Sequence, residues 1–229
     1  MATEIVLLRL KPDTNVTDAG PASTTWKEAL STVLSQPGAQ RAYYGNSVET
    51  PTMLRLFIDW DSVDAHKKFM DSEAYGPFGG KLMSILDGVE GVYHAHMNPH
   101  PPSAALAETS SPATELLTVY FPKDYSTAQM EKFSDNFEKL AKAIAEGGKD
   151  SFVTGVGGWC VEDEVTNPAN AEMKGKAFFG AIGWKSVQHH IDFRSTSTFK
   201  DNIHLLRGAD GVLGVHVEHY HGTEVQPDA

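Results

Sequence analysis

Two histidines at matching places in a repeated pattern are the first candidates for chemistry in this 229-residue sequence. His66 and His190 each stand three residues before a phenylalanine, Phe69 and Phe193, so on a helix each shares a face with that ring. An imidazole ionises near neutrality, so a histidine aimed into a pocket suits general acid–base work. The competing reading is packing at the edge of a helix–sheet contact. Further histidines alternate on strand-like runs: His94 and His96 in one, and His216 with Glu218 and Tyr220 in another. Alternate residues of a strand project to one side, so either run could offer a metal two ligands. A third ligand has no evident source, and no metal or other cofactor is expected. His96 and His216 align when the sequence is laid against itself, which makes them the preferred polar groups of these two strands. Aromatics crowd the other strands: Tyr43 and Tyr44, Trp159 beside Cys160, and Phe178 with Phe179. A lining of that kind suits a flat apolar ligand with a few polar anchors. Tyr44, Trp60, Phe69, Trp159 and His216 are the candidate contacts.

The elements that must carry these side chains occur twice. Residues 58–66 (IDWDSVDAH) return as 182–190 (IGWKSVQHH), and Ala2-Thr3-Glu4 returns as Ala113-Thr114-Glu115. The offset grows from 111 residues at Ala113 to 124 at Trp184 and is read as 120 at His216, so a longer loop is expected in copy two over residues 162–176. A repeat of this length is a small domain rather than a solenoid unit. In copy one, strands are expected at 4–10, 41–49, 52–60 and 91–97, with helices at 24–36, from 61 or 62 to 70, and at 77–86. The first helix puts Trp26, Leu30, Val33 and Leu34 on one face and stops at Pro37-Gly38. Copy two repeats the order at 115–121, 127–146, 154–162, 176–184, 186–193 and 214–220. Gly155, Gly157 and Gly158 thin its second strand, a sign of a bulge or of close ligand approach. They suggest room there that copy one fills with Tyr43 and Tyr44. The expected division is a first repeat over 1–98, a proline- and serine-rich linker over 99–112, a second repeat over 113–223 and a tail over 224–229.

The order β-α-β-β-α-β is the split βαβ, ferredoxin-like arrangement. Its sheet has one face covered by helices and one left open, so two copies can cover each other. The expected class is α+β: two tandem ferredoxin-like repeats packed sheet to sheet as a pseudo-dimeric α/β barrel. Composition agrees with a soluble chain. A net charge of −11 argues against nucleic acid and anionic membrane surfaces. No run approaches the ~20 apolar residues of a membrane span. The single Cys160 and the lack of a basic-then-apolar leader fit the cytoplasm. No phosphate-binding loop or GxSxG serine elbow is present.

The run Trp60-Asp61-Ser62-Val63-Asp64, with Phe69, Ser72 and Tyr75-Gly76-Pro77-Phe78, resembles the dimeric α/β-barrel superfamily, once per copy. That superfamily includes antibiotic-biosynthesis monooxygenases, stress-responsive A/B-barrel proteins and polyketide cyclases. The resemblance implies the fold and a range of activities, from cofactor-free oxygenation of aromatics to cyclisation, haem chemistry and plain binding. It also marks two positions where members often carry polar groups, occupied here by Phe69 and Tyr75 in copy one and by Phe193 and Phe199 in copy two. Only Tyr75 keeps a hydroxyl. The site is therefore expected in copy one, between its sheet and the helices after strand three. His66 would act as base and Tyr75 as hydrogen-bond donor, with His96 reaching in from strand four. The expected function is a cofactor-independent enzyme acting on a small aromatic or polyketide-like substrate by oxygenation, cyclisation or a lyase step. A non-catalytic binding or stress-response protein is the alternative. One chain supplies both halves of the barrel, so either a monomer or a homodimer is compatible.

Overall fold

The computed structural model describes residues 1–168 and 170–227. Its first half runs β1 (Ala2–Leu10), α1 (Pro21–Leu34), β2 (Ala39–Asn46), β3 (Met53–Trp60), α2 (Val63–Met70), α3 (Tyr75–Met83) and β4 (Leu86–Ala95). α4 (Ser103–Leu106) follows, and the second half continues with β5 (Ala113–Phe121), α5 (Thr127–Gly147), β6 (Phe152–Trp159), β7 (Val165–Asn167) and β8 (Asn170–Trp184). α6 (Val187–Phe193), α7 (Ser197–Asn202), α8 (His204–Arg207), β9 (Gly214–Tyr220) and β10 (Thr223–Val225) complete it.

Local chemistry places the helices that matter. α2 and α6 start from the same device: the Ser62 hydroxyl accepts from the Ala65 N–H, and the Ser186 hydroxyl accepts from the His189 N–H. Each cap lies two residues beyond a strand-ending tryptophan, so the following turn carries His66 over Trp60 and His190 over Trp184. The rings stack at 5.2 and 4.9 Å between centroids. α5, the longest helix, opens with a full capping box between Ser126 and Gln129.

The sheets have the orders β10-β2-β3-β1-β4 and β6-β8-β5-β9. Strand 3 sorts its side chains as the alternation requires. Leu54, Leu56 and Ile58 join the core under α1, whereas Phe57 points into the layer between the sheets. Ile5, Tyr43, Phe57 and Tyr93 meet Leu116, Tyr120, Phe179 and Tyr220 in that layer. The two sheets are therefore packed face to face, and each such buried side chain contributes about 1.5–3 kcal/mol. Two seams close the ring. At one, Ala95 at the end of β4 pairs with Cys160 just past β6, and Asn98 beyond β4 pairs with Gly157 of β6; at the other, Ser47, after β2, pairs with Tyr220 of β9.

Several details depart from the sequence reading. Residues 162–176 are not a plain loop, because β7 and an extended β8 form a hairpin there. Residues 99–112 include α4, whose Ala105 and Leu106 are wholly buried against the inter-sheet core. Within the expected tail, Glu224 and Val225 belong to β10, which pairs with β2, and residues 228–229 lie outside the described residues. The space around Gly157 is filled by the Phe137 and Phe178 rings, and Gly158 lies against the His96 carbonyl at the seam. Those glycines serve packing and closure. The layer between the sheets is itself full, with a cleft of only about 10 Å³.

Candidate functional site

The cavities lie outside the barrel, between each sheet and its own helices. The first-half cavity measures about 180 Å³ and is walled by Val6, Leu8, Leu56, Ile58 and Phe69, with Tyr75 and Phe78 from α3. Glu4 and His66 are its only ionisable groups besides Tyr75. Its mouth is apolar: Met83, Val89 and Val92 stand there half exposed.

Glu4 sits in the middle of an apolar strand because three partners receive it. The Trp60 indole N–H donates to its Oε2 at 2.8 Å, and His66 Nε2 stands 3.5 Å from its Oε1. His94, directly across the β1–β4 ladder from Glu4, continues the line, with its Nε2 2.8 Å from His66 Nδ1. The line ends in the other half. Glu162, just after β6, takes the His94 ring Nδ1 at 2.7 Å and the His94 backbone N–H at 2.8 Å.

The second half repeats every member. The Trp184 indole donates to Glu115 at 3.2 Å, and His190 lies 3.3 Å from that carboxyl and 2.7 Å from His219. His219 is held by Glu49 of the first half at 2.5 Å through its ring and 2.8 Å through its backbone. Each half thus completes its chain with a glutamate from the other.

Burial sets the charges along these chains. Desolvation raises the Glu4 carboxyl to about 7 against the lowering effect of the Trp60 hydrogen bond, and raises Glu115 to about 7 likewise. Desolvation lowers His66 to about 4 and His190 to about 3, helped by the neighbouring His94 and His219. At Glu162 burial also raises, but the hydrogen bonds from His94 outweigh it and hold the carboxyl below its usual range; Glu49 is held down in the same way by His219. An ionised Glu162 requires a proton on His94 Nδ1. His94 Nε2, in the neutral ring, then accepts from His66 Nδ1–H, leaving His66 Nε2 as an acceptor facing Glu4. With that tautomer the two hydrogen bonds point one way, from His66 toward Glu162, and the His66 Nε2 lone pair faces Glu4 at 3.5 Å.

The residues expected from sequence are only partly brought together. His66, Phe69 and Tyr75 meet at the cavity, the Tyr75 ring edge-on to Phe69 at 5.2 Å. Trp60 lies behind them, wholly buried, and acts by holding Glu4 and stacking on His66. His96 is not in this group. It lies past the end of β4, exposed, with its ring on the Met1 carbonyl at 3.0 Å, and the neighbour that reaches His66 is His94. Tyr44 packs edge-on against Trp26 beneath α1, away from the cavity. Trp159 donates to Ser134 on α5 and lines a separate open groove. His216 faces the narrow inter-sheet cleft, 3.7 Å from Glu218. Nor are His96 and His216 equivalent. The ladders pair Glu4 with His94 and Glu115 with His219, an offset of 125 residues, so His96 corresponds to His221. Sequence reasoning missed Glu4, Glu162 and their counterparts, although Glu4 and Glu115 lie in the matched Ala-Thr-Glu triplets. Among the described residues, no group of three or more histidine, cysteine, aspartate or glutamate side chains is arranged to hold a metal ion.

No protein-family model matches the sequence, and no curated protein matches it. Solved structures do resemble it across its whole length. An anthrone oxidase-like protein superposes with a TM-score of 0.67 at 14% identity, covering 100% of this chain and 94% of its own. A candidate monooxygenase from Fusobacterium nucleatum gives 0.57 at 11% identity over 100% and 94%. Another from Lactobacillus acidophilus gives 0.54 at 14% identity over 99% of both chains. At these identities the likeness is one of fold. No helix among the described residues is long and apolar enough to cross a membrane.

Proposed function

We propose that this chain, a tandem dimeric α/β barrel, takes a proton from a small hydroxylated aromatic substrate in its first-half cavity, in a cofactor-independent oxygenation. The observation that carries the reading is the line of polar groups from Glu4, at the cavity, to Glu162 in the other half, in which His66 stands 3.5 Å from Glu4 and two hydrogen bonds join His66, His94 and Glu162. A carboxyl poised near 7 in an apolar cavity is matched to proton removal at neutral pH. Both His66 nitrogens are engaged within the line, so His66 relays the proton and Glu4 is the base. Tyr75, on the opposite wall, is placed to hydrogen-bond the developing oxyanion.

The cavity of about 180 Å³ is a little larger than the roughly 150 Å³ that encloses a benzene ring. One ring enters, and any further rings of a polycyclic substrate sit among Met83, Val89 and Val92. For an activated CH₂ group the chemistry balances with dioxygen alone: Glu4 removes one proton, the carbanion reduces O₂ and bonds to it, and loss of water leaves C=O. One O₂ is consumed and one H₂O formed. Cyclisation or a lyase step on an enolisable substrate would use the same proton removal.

The test is dioxygen uptake with hydroquinones and hydroxylated anthrones. Uptake of one O₂ per anthrone, and a loss of at least about 10²-fold in kcat/KM for Glu4→Gln, is expected. Phe69 and Phe193, at positions where the resembled family often carries polar groups, favour a second reading, a non-catalytic binder. Thermal stabilisation by these compounds without any turnover would establish that reading instead.

A further inference from the structure

The second-half cavity has the same floor and a different mouth. It encloses about 70 Å³ between β5, β8 and the helices α5 to α8, with Glu115 and His190 at its base and Phe193, Ile182 and Leu206 on its walls. An offset of 124 residues relates His66 to His190, Phe69 to Phe193 and Leu82 to Leu206, and each member lies on the same wall of its own cavity. The same offset sets Met70 against Arg194 and Met83 against Arg207. Two methionines on the first half are thus two arginines on the second, and both arginines line the cavity.

Both guanidiniums are exposed, and neither donates a hydrogen bond or forms an ion pair among the described residues. On a chain of net charge −11 an unpaired pair of arginines at the rim of an apolar cavity is a local reversal of sign. Guanidinium is the side chain best shaped to hold a carboxylate through two parallel N–H donors. Burial raises Glu115 to about 7 against the lowering pull of the Trp184 hydrogen bond and of Arg194 and Arg207, and lowers His190 to about 3, so at pH 6 the floor is largely uncharged and does not oppose an anion.

We propose that the second-half cavity binds a small aliphatic carboxylate, with its carboxylate between Arg194 and Arg207 and its chain in the apolar interior. At less than half the roughly 150 Å³ that holds benzene, the enclosed space takes about three carbons, the branched end of a short chain, rather than a ring. This site is separate from the first-half cavity and does not depend on the reaction assigned there.

The full-length protein, with its tryptophans ¹⁵N-labelled, is titrated with isovalerate and with the neutral isovaleramide. Trp184 Nε1–H bonds Glu115 at the cavity floor, so its indole signal reports on this site, while Trp60 reports on the other half. Saturable movement of the Trp184 signal with isovalerate is expected, at least about tenfold tighter than with the amide. Arg194→Gln and Arg207→Gln should each weaken isovalerate by about tenfold and leave the amide unchanged. Both arginines are exposed, and an unaltered Trp60 signal checks that the variants are folded. Equal affinity for acid and amide, unchanged isovalerate binding in both variants, movement of Trp60 alone, or no saturable shift would each overturn the proposal.

Discussion

Glu162, in the second half, grips His94 of the first by two hydrogen bonds at once, to its ring at 2.7 Å and to its backbone N–H at 2.8 Å. The duplication returns the contact as Glu49 on His219. A bond made twice, across both seams of the barrel, ties closure of the fold to the state of each cavity. Its members connect an interior carboxyl to a glutamate whose side chain is 33% exposed, which is what a proton needs in order to leave a dry site.

Glu162→Gln should therefore impair first-half chemistry without touching the cavity. Glutamine can accept from one His94 donor but presents an NH₂ group to the other, so the ring loses its fixed tautomer. A fall of about 10-fold or more in kcat is expected with KM nearly unchanged, measured on whichever substrate is turned over. An equal fall from Glu49→Gln would contradict the assignment to the first half.

The titration of Glu4 makes a signed prediction for stability. Its folded value, about 7, lies above its ordinary 4.5. Below pH 4.5 both states hold the proton and nothing is lost. Between 4.5 and 7 the unfolded chain releases a proton that the folded chain keeps, so stability falls as pH rises, by roughly 3 kcal/mol in all. Glu4→Gln removes that loss. Its melting temperature relative to the parent should rise by several degrees from pH 5 to pH 8. A flat difference would mean that Glu4 is not buried as described.

The ion pair between Arg55 of β3 and Glu218 of β9 lies between the sheets, with side chains only 5% and 8% exposed. Removing one partner strands the other in the core. Arg55→Met alone should cost about 3–5 kcal/mol in denaturant unfolding, whereas Arg55→Met with Glu218→Leu should cost much less. Additive losses would place the two charges apart.

Closure of the barrel depends on two glycines at equivalent places. A Cβ on Gly45 would collide with the His221 carbonyl, and one on Gly158 with the His96 carbonyl. Gly45→Ala and Gly158→Ala should each destabilise by more than the few tenths of a kcal/mol usual for a surface change. Thermal unfolding of each variant measures it. Unchanged melting would show that the seams are looser than described.

The repeat made the fold legible. Two copies of one strand and helix order, with Trp60 and Trp184 ending equivalent strands, are a strong statement of topology, because each copy corroborates the other. The site was less legible, for a physical reason. A chain of hydrogen bonds that crosses from one half to the other depends on which strand ends meet at the seams, and no local pattern encodes that. His94 was in view as one of an alternating pair, but a five-residue error in matching the fourth strands brought His96 forward with His216. Glu4 and Glu115 carried a usable signal, a carboxylate kept at the same place in two apolar strands. Glu49 and Glu162 carried one too, since each ends a matched Gly-x-x-Val-Glu run, at residues 45–49 and 158–162, but nothing in that run says which histidine it meets.

Protonation along the line from Glu4 to Glu162 can be read directly from the ¹⁵N shifts of labelled histidines between pH 5.5 and 8. His66 and His190 should remain neutral throughout, because burial holds them at about 4 and 3, and at pH 5.5, where Glu4 and Glu115 keep their protons, each should carry its own proton on Nδ1. An imidazolium signal from His66 near pH 6, or a neutral His66 with its proton on Nε2 at pH 5.5, would break the line and contradict a relay from Glu4 to Glu162.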